Sequence, residues 1–65
     1  MKLLAYREKK GFSQKELACY LHEYSGKAIT QAAVSMWENG RIPRKFWLDI
    51  IAGYTGNKVR ANDFA

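Results

Sequence analysis

Apolar positions along the chain recur every three or four residues in short runs, each bounded by glycine or a capping residue, and that period predicts helices rather than strands. The first run covers residues 2–10. Leu3, Leu4 and Tyr6 fall toward one side, and Arg7, Glu8, Lys9 and Lys10 fill the last turn before Gly11. Basic groups there suit the negative pole of the helix dipole, and glycine can take the left-handed conformation that closes a C-terminus. The second start is sharper. Ser13 is followed three residues later by Glu16, the pattern of a capping box, and Phe12 ahead of the cap can staple onto Leu17. Leu17, Leu21 and Tyr24 then share a face flanked by Ala18 and Tyr20, while Cys19 points away and Gly26 is the expected stop.

A third helix is expected to open at Thr30, whose hydroxyl can accept from the amide of Ala32 or Ala33 while Ile29 packs on Val34. Asn39 and Gly40 end it. Pro43 fits the first turn of a fourth helix, where its missing N–H is not needed, and Phe46, Trp47, Ile50 and Ile51 supply the apolar stripe. Gly53 weakens the end of that helix and Gly56 closes it. Val59 and Phe64 return to the core, with Asn62 or Asp63 capping a terminal turn. The expected fold is all-α: a compact bundle of four to five short helices in one domain over residues 1–65.

Composition sharpens this. A chain of 65 residues buries a small core, only about 60% of its unfolded surface for this size class, and its aromatic residues are expected to fill that core or its edge: Tyr6, Phe12, Tyr20, Trp37, Phe46 and Trp47. A base-stacking platform for single strands is the alternative for that set. Cys19 and His22 are the only residues of their kinds, which excludes an internal disulfide and a zinc site built from several Cys and His ligands. No metal, cofactor or enzymatic activity is expected, since one histidine and scattered carboxylates assemble no catalytic set. Cys19 reads as an ordinary exposed thiol rather than a redox sensor, because Glu16 and Glu23 oppose thiolate formation. No run approaches the roughly 18 to 20 apolar residues of a membrane span, and residues 1–7 are too short an apolar stretch for a signal peptide, so a cytoplasmic location is expected. The formal net charge of +5 suits a polyanionic partner.

The third helix carries the functional signal. At one hundred degrees per residue Ala33, Val34 and Trp37 cluster on one side, and Gln31, Ala32, Ser35 and Met36 lie away from it. No charge occurs from Ala28 to Trp37, whereas a solvent-facing helix usually carries Lys and Glu for solubility. A bland amphipathic surface helix is one reading. Close approach to another surface is the other: small residues let a helix sink into the DNA major groove, a glutamine amide can pair with adenine, and Ser35 and Met36 offer a polar and an apolar contact. Lys27 ahead of the helix and Arg41, Arg44 and Lys45 beyond it are placed to meet phosphates.

Ser13-Gln14-Lys15-Glu16-Leu17-Ala18, followed by the tract from Ile29 to Arg41, resembles the helix-turn-helix of the lambdoid phage repressor and Cro family, the xenobiotic-response-element class. The resemblance implies a lambda-repressor-like DNA-binding domain. It puts base reading on Gln31, Ala32, Ser35 and Met36, and phosphate binding on Gln14, Asn39, Arg41 and Arg44 or Lys45. It also implies a structural ion pair of Arg7 with Glu38. Ala32 stands where many relatives carry a polar residue, so more discrimination is expected from DNA shape. The connection at residues 22–28 is about six residues longer than the usual turn; either the second helix is extended, or Lys27 uses the added loop to reach a phosphate.

The expected function is therefore a transcriptional regulator, a repressor that binds a partly palindromic double-stranded operator as a homodimer and associates with the nucleoid through DNA. The alternative is a protein-interaction module such as the antitoxin of a toxin-antitoxin pair, docking through an apolar patch around Trp47 and Phe64.

Overall fold

A computed structural model describes residues 1–64 and contains helices α1 (Leu3–Lys10), α2 (Gln14–Ser25), α3 (Gln31–Glu38) and α4 (Lys45–Tyr54), then a 3-10 turn at Ala61–Phe64. Among the described residues there is no strand, and no helix is long and apolar enough to cross a membrane. Each start is built from local chemistry. The Glu16 amide donates to Ser13 Oγ at 3.0 Å and the Ser13 amide donates to Glu16 Oε1 at 2.8 Å, completing the capping box. The Ala33 amide donates to Thr30 Oγ1 at 3.2 Å. Asp63 caps the last turn, its Oδ2 accepting from the Arg60 amide at 2.8 Å and lying 3.1 Å from the Met1 ammonium.

α2 absorbs most of the added length in the connection. It runs to Ser25, and Gly26, at φ 74°, donates its amide to His22 O at 2.8 Å, leaving residues 26–30 to reach α3. The other end of α3 is closed by Gly40 at φ 104°, with the Gly40 amide donating to Trp37 O and the Arg41 amide to Met36 O.

The core gathers Leu3 and Tyr6 from α1, Leu17, Ala18 and Leu21 from α2, Val34 and Trp37 from α3, Trp47 and Ile51 from α4, and Val59 and Phe64 from the C-terminal segment. Trp37 and Trp47 meet with ring centroids 5.8 Å apart. Thr55 is the buried polar residue within this shell, and its hydroxyl is doubly used: it donates to Ile51 O at 2.8 Å and accepts from the Val59 amide at 3.1 Å. The end of α4 is thereby tied to the returning chain.

Four residues depart from the apolar pattern. Leu4 is exposed because so short a helix buries a narrow side, and Leu3, Tyr6 and half-buried Arg7 occupy it. Tyr24 is 53% exposed and lies across the outside of the α2–α4 crossing, edge-on to Tyr54 at 5.5 Å. Its hydroxyl rests where a Cβ on Gly53 would come within 2.7 Å, so Gly53, next to last in α4, is also a close-approach position. Pro43 is buried but precedes α4: residues 41–44 lie outside any helix, a proline disfavours helix at the residue before it, and the helix begins only after extended Arg44. Phe46 is 44% exposed, because Trp47 and Ile51 take the inward direction one residue further round. Phe12 and Tyr20 hold the core edge together, with ring centroids 4.7 Å apart.

Candidate nucleic-acid interface

α3 is set by a partly buried ion pair at its last residue. Glu38 accepts from Arg7 Nε at 2.6 Å and Nη2 at 3.1 Å, and from Gln14 Nε2 at 2.9 Å, while Arg7 Nη1 donates to Phe12 O at 2.9 Å. One carboxylate therefore joins α1, α2 and α3, and its side chain is only 5% exposed. The Glu38 hydrogen bonds push the Arg7 pKa above the ordinary arginine value, against the opposing pull of its burial. A bidentate fork of this kind fixes both distance and rotation, so the direction in which α3 presents its outer face is determined at its C-terminal end.

That outer face is accessible and uncharged. Gln31, Ala32 and Met36 are exposed, Met36 to 47%, and Ser35 is half-buried between them. Opposite them Val34 is fully buried and Trp37 nearly so. Asn39 donates its side-chain amide to Ser35 O at 2.9 Å, so it stiffens the last turn of α3. Gln14 has its amide nitrogen engaged by Glu38, yet it is also the first residue of α2, where the backbone amides have no intrahelical acceptor.

The cations fall into two groups. Lys27, Arg41 and Arg44 line one shallow groove with Met36 and Phe46, and none of the three is paired with a carboxylate among the described residues. Lys45 instead forms an exposed ion pair with Asp49 one turn on, at 3.3 Å. The sequence did not place Phe46 in this groove, nor Ile42, which is 59% exposed on the extended segment above buried Pro43. Their signal is tertiary: apolar residues next to the core stripe look like core until the rotation of α4 is known.

Cys19 is exposed on the far side of α2, with Sγ 4.0 Å from Glu23 Oε1. Among the described residues no group of three or more His, Cys, Asp or Glu could hold a metal ion.

The family model described as helix-turn-helix matches residues 3–58, from the start of α1 past the end of α4. No curated protein and no solved structure matches the chain.

Proposed function

The chain belongs to the helix-turn-helix family, a family of DNA-binding domains, and from that premise we propose that it is a transcriptional repressor acting on double-stranded DNA. α3 enters the major groove, Gln31, Ala32, Ser35 and Met36 face base edges, and two copies related by a two-fold axis occupy a partly palindromic operator. Gln14, Lys27, Asn39, Arg41, Arg44 and Lys45 take phosphates. The observation that carries this reading is the pairing of an exposed, charge-free face on α3 with the unpaired cations Lys27, Arg41 and Arg44 beside it. A protein of net charge +5 that keeps charge off one helical face and places three free cations at its border is complementary to a groove walled by phosphates.

The test is salt. The cationic contacts among these, from Lys27, Arg41, Arg44 and Lys45, number about four per subunit and roughly eight in a dimer, and give a slope of log K against log salt near −7. Selection of duplexes from a random pool then yields a consensus, palindromic on this reading. A slope near zero, or a pool that never enriches, overturns it.

A further inference from the structure

We propose that Phe46 is a positioning residue for DNA binding: its exposed ring holds the Lys27 ammonium and so brings that cation to the phosphate-facing groove. The inference rests on the DNA-binding reading above. Lys27 lies on the connection that this chain has lengthened, one residue beyond left-handed Gly26, where a lysine has no helix to constrain it. Two contacts constrain it nonetheless. Its backbone is fixed by Ser25, whose Oγ accepts from the Lys27 amide at 3.0 Å and donates to Lys27 O at 3.2 Å. Its side chain reaches across to α4, with Nζ 5.1 Å from the centroid of the Phe46 ring, within the range of a cation–π contact.

The ring is itself held. Phe46 meets buried Trp47 edge-on, with centroids 5.2 Å apart and planes at 87°, so the core sets the plane on which the ammonium rests. The resulting chain of contacts runs from the core through Trp47 and Phe46 to Lys27, and ends in the groove shared with Arg41, Arg44 and Met36. This gives a use to a ring left 44% exposed beside Lys27, Arg41 and Arg44. A lysine stem loses considerable freedom on binding a phosphate; resting the ammonium on a ring removes part of that loss in advance without neutralising the charge, as a carboxylate partner does.

A double-mutant cycle with Phe46→Leu and Lys27→Met, read on the selected duplex, tests the proposal. A cation–π contact at an exposed site predicts that Phe46→Leu weakens binding about two- to fivefold per subunit, and that Phe46→Tyr restores it. Lys27→Met should weaken binding and lower the salt slope by about 0.9 per subunit. In the Lys27→Met background, Phe46→Leu should then have no further effect. In the free protein, the ε-methylene proton signals of Lys27 should lie upfield and lose that shift in Phe46→Leu, with the melting temperature little changed. Equal losses for Phe46→Leu in both backgrounds, or no loss in the parent chain, overturn the proposal while leaving DNA binding intact. Failure of the parent chain to bind any duplex overturns the repressor reading, and this one with it.

Discussion

Gln31 and Arg41 stand at opposite ends of α3, one exposed on its first turn and the other just past Gly40, and their substitutions should differ in kind. Gln31→Ala should cost about 1 to 3 kcal/mol at one base pair and flatten preference there, while Arg41→Ala should weaken all duplexes alike and lower the salt slope by roughly one per subunit. Competition assays with specific and random duplexes separate the two, and equal losses on both for Gln31→Ala would remove it from base reading. A second residue reports on pH. The Arg60 amide, with the Met1 ammonium, holds the Asp63 carboxyl below the ordinary aspartate range. A lowered carboxyl stabilises the fold above the unfolded pKa of about 3.9 and loses that effect as pH falls through its own lower value. Asp63→Asn should therefore flatten the acid end of a melting-temperature profile and leave the shape near neutrality unchanged; an unaltered acid limb would show that Asp63 contributes nothing. Ser13, Glu16 and Thr30 were legible as caps because partner and residue are three positions apart in the chain. Gln14, Asn39 and Lys45 were expected at phosphates, but their partners in the fold were not legible, since the one that orients Gln14 comes from another helix and those of Asn39 and Lys45 depend on rotamer.

At the scale of elements, α3 is held by its last residue and by its buried side, and each can be tested. Arg7→Met alone leaves the Glu38 carboxylate buried with only Gln14 to answer it, which should cost about 3 to 5 kcal/mol, whereas Arg7→Met with Glu38→Leu should recover much of that loss. Chemical denaturation of the two proteins measures the difference, and equal stabilities would show the pair to be dispensable. Recovery of stability without recovery of DNA affinity is expected, because Leu in place of Glu38 packs but does not fix the rotation of α3. Across the helix, Trp37→Ala should cost about 3 to 5 kcal/mol and unfold most of a domain that has roughly 3 to 10 kcal/mol in total. Met36→Ala, exposed one residue away, should keep its melting temperature and lose DNA affinity. A folded Trp37→Ala beside an unfolded Met36→Ala would mean that the two faces of α3 are exchanged. The ends of α1, α2 and α3 could be read from the chain because caps and left-handed glycines are local. The start of α4 could not: Pro43 was compatible with a first turn, whereas it is buried ahead of the helix and extended Arg44 is the N-cap.

At the scale of the whole molecule the backbone extends over 24 × 23 × 21 Å, and that size limits how two copies can share an operator. Successive major grooves on one face of the duplex are about 34 Å apart, so two backbones about 23 Å wide, each centred on its own groove, are separated by roughly 11 Å, which the side chains of the facing surfaces occupy. That is close to the spacing of packed helices, so the two copies can touch directly, but two rounded bodies of this size meet only over a limited patch near the axis. Contact across the two-fold axis should therefore be thin, below the roughly 1,200 Å² of a stable association, and pairing should depend on the DNA. The expected outcome is a monomer at micromolar concentration in sedimentation experiments, and a complex of two chains on a duplex whose half-sites are centred about 10 to 10.5 base pairs apart. Inserting five base pairs between the half-sites turns one recognition face to the opposite side of the duplex, and should reduce binding of the second copy to that of an isolated half-site. Neither the charge nor the helical pattern could supply this expectation, which needs the dimensions of the folded chain. A tight dimer without DNA, or a second copy indifferent to the insertion, would show that the two-fold arrangement is set by some other surface of the protein or does not occur.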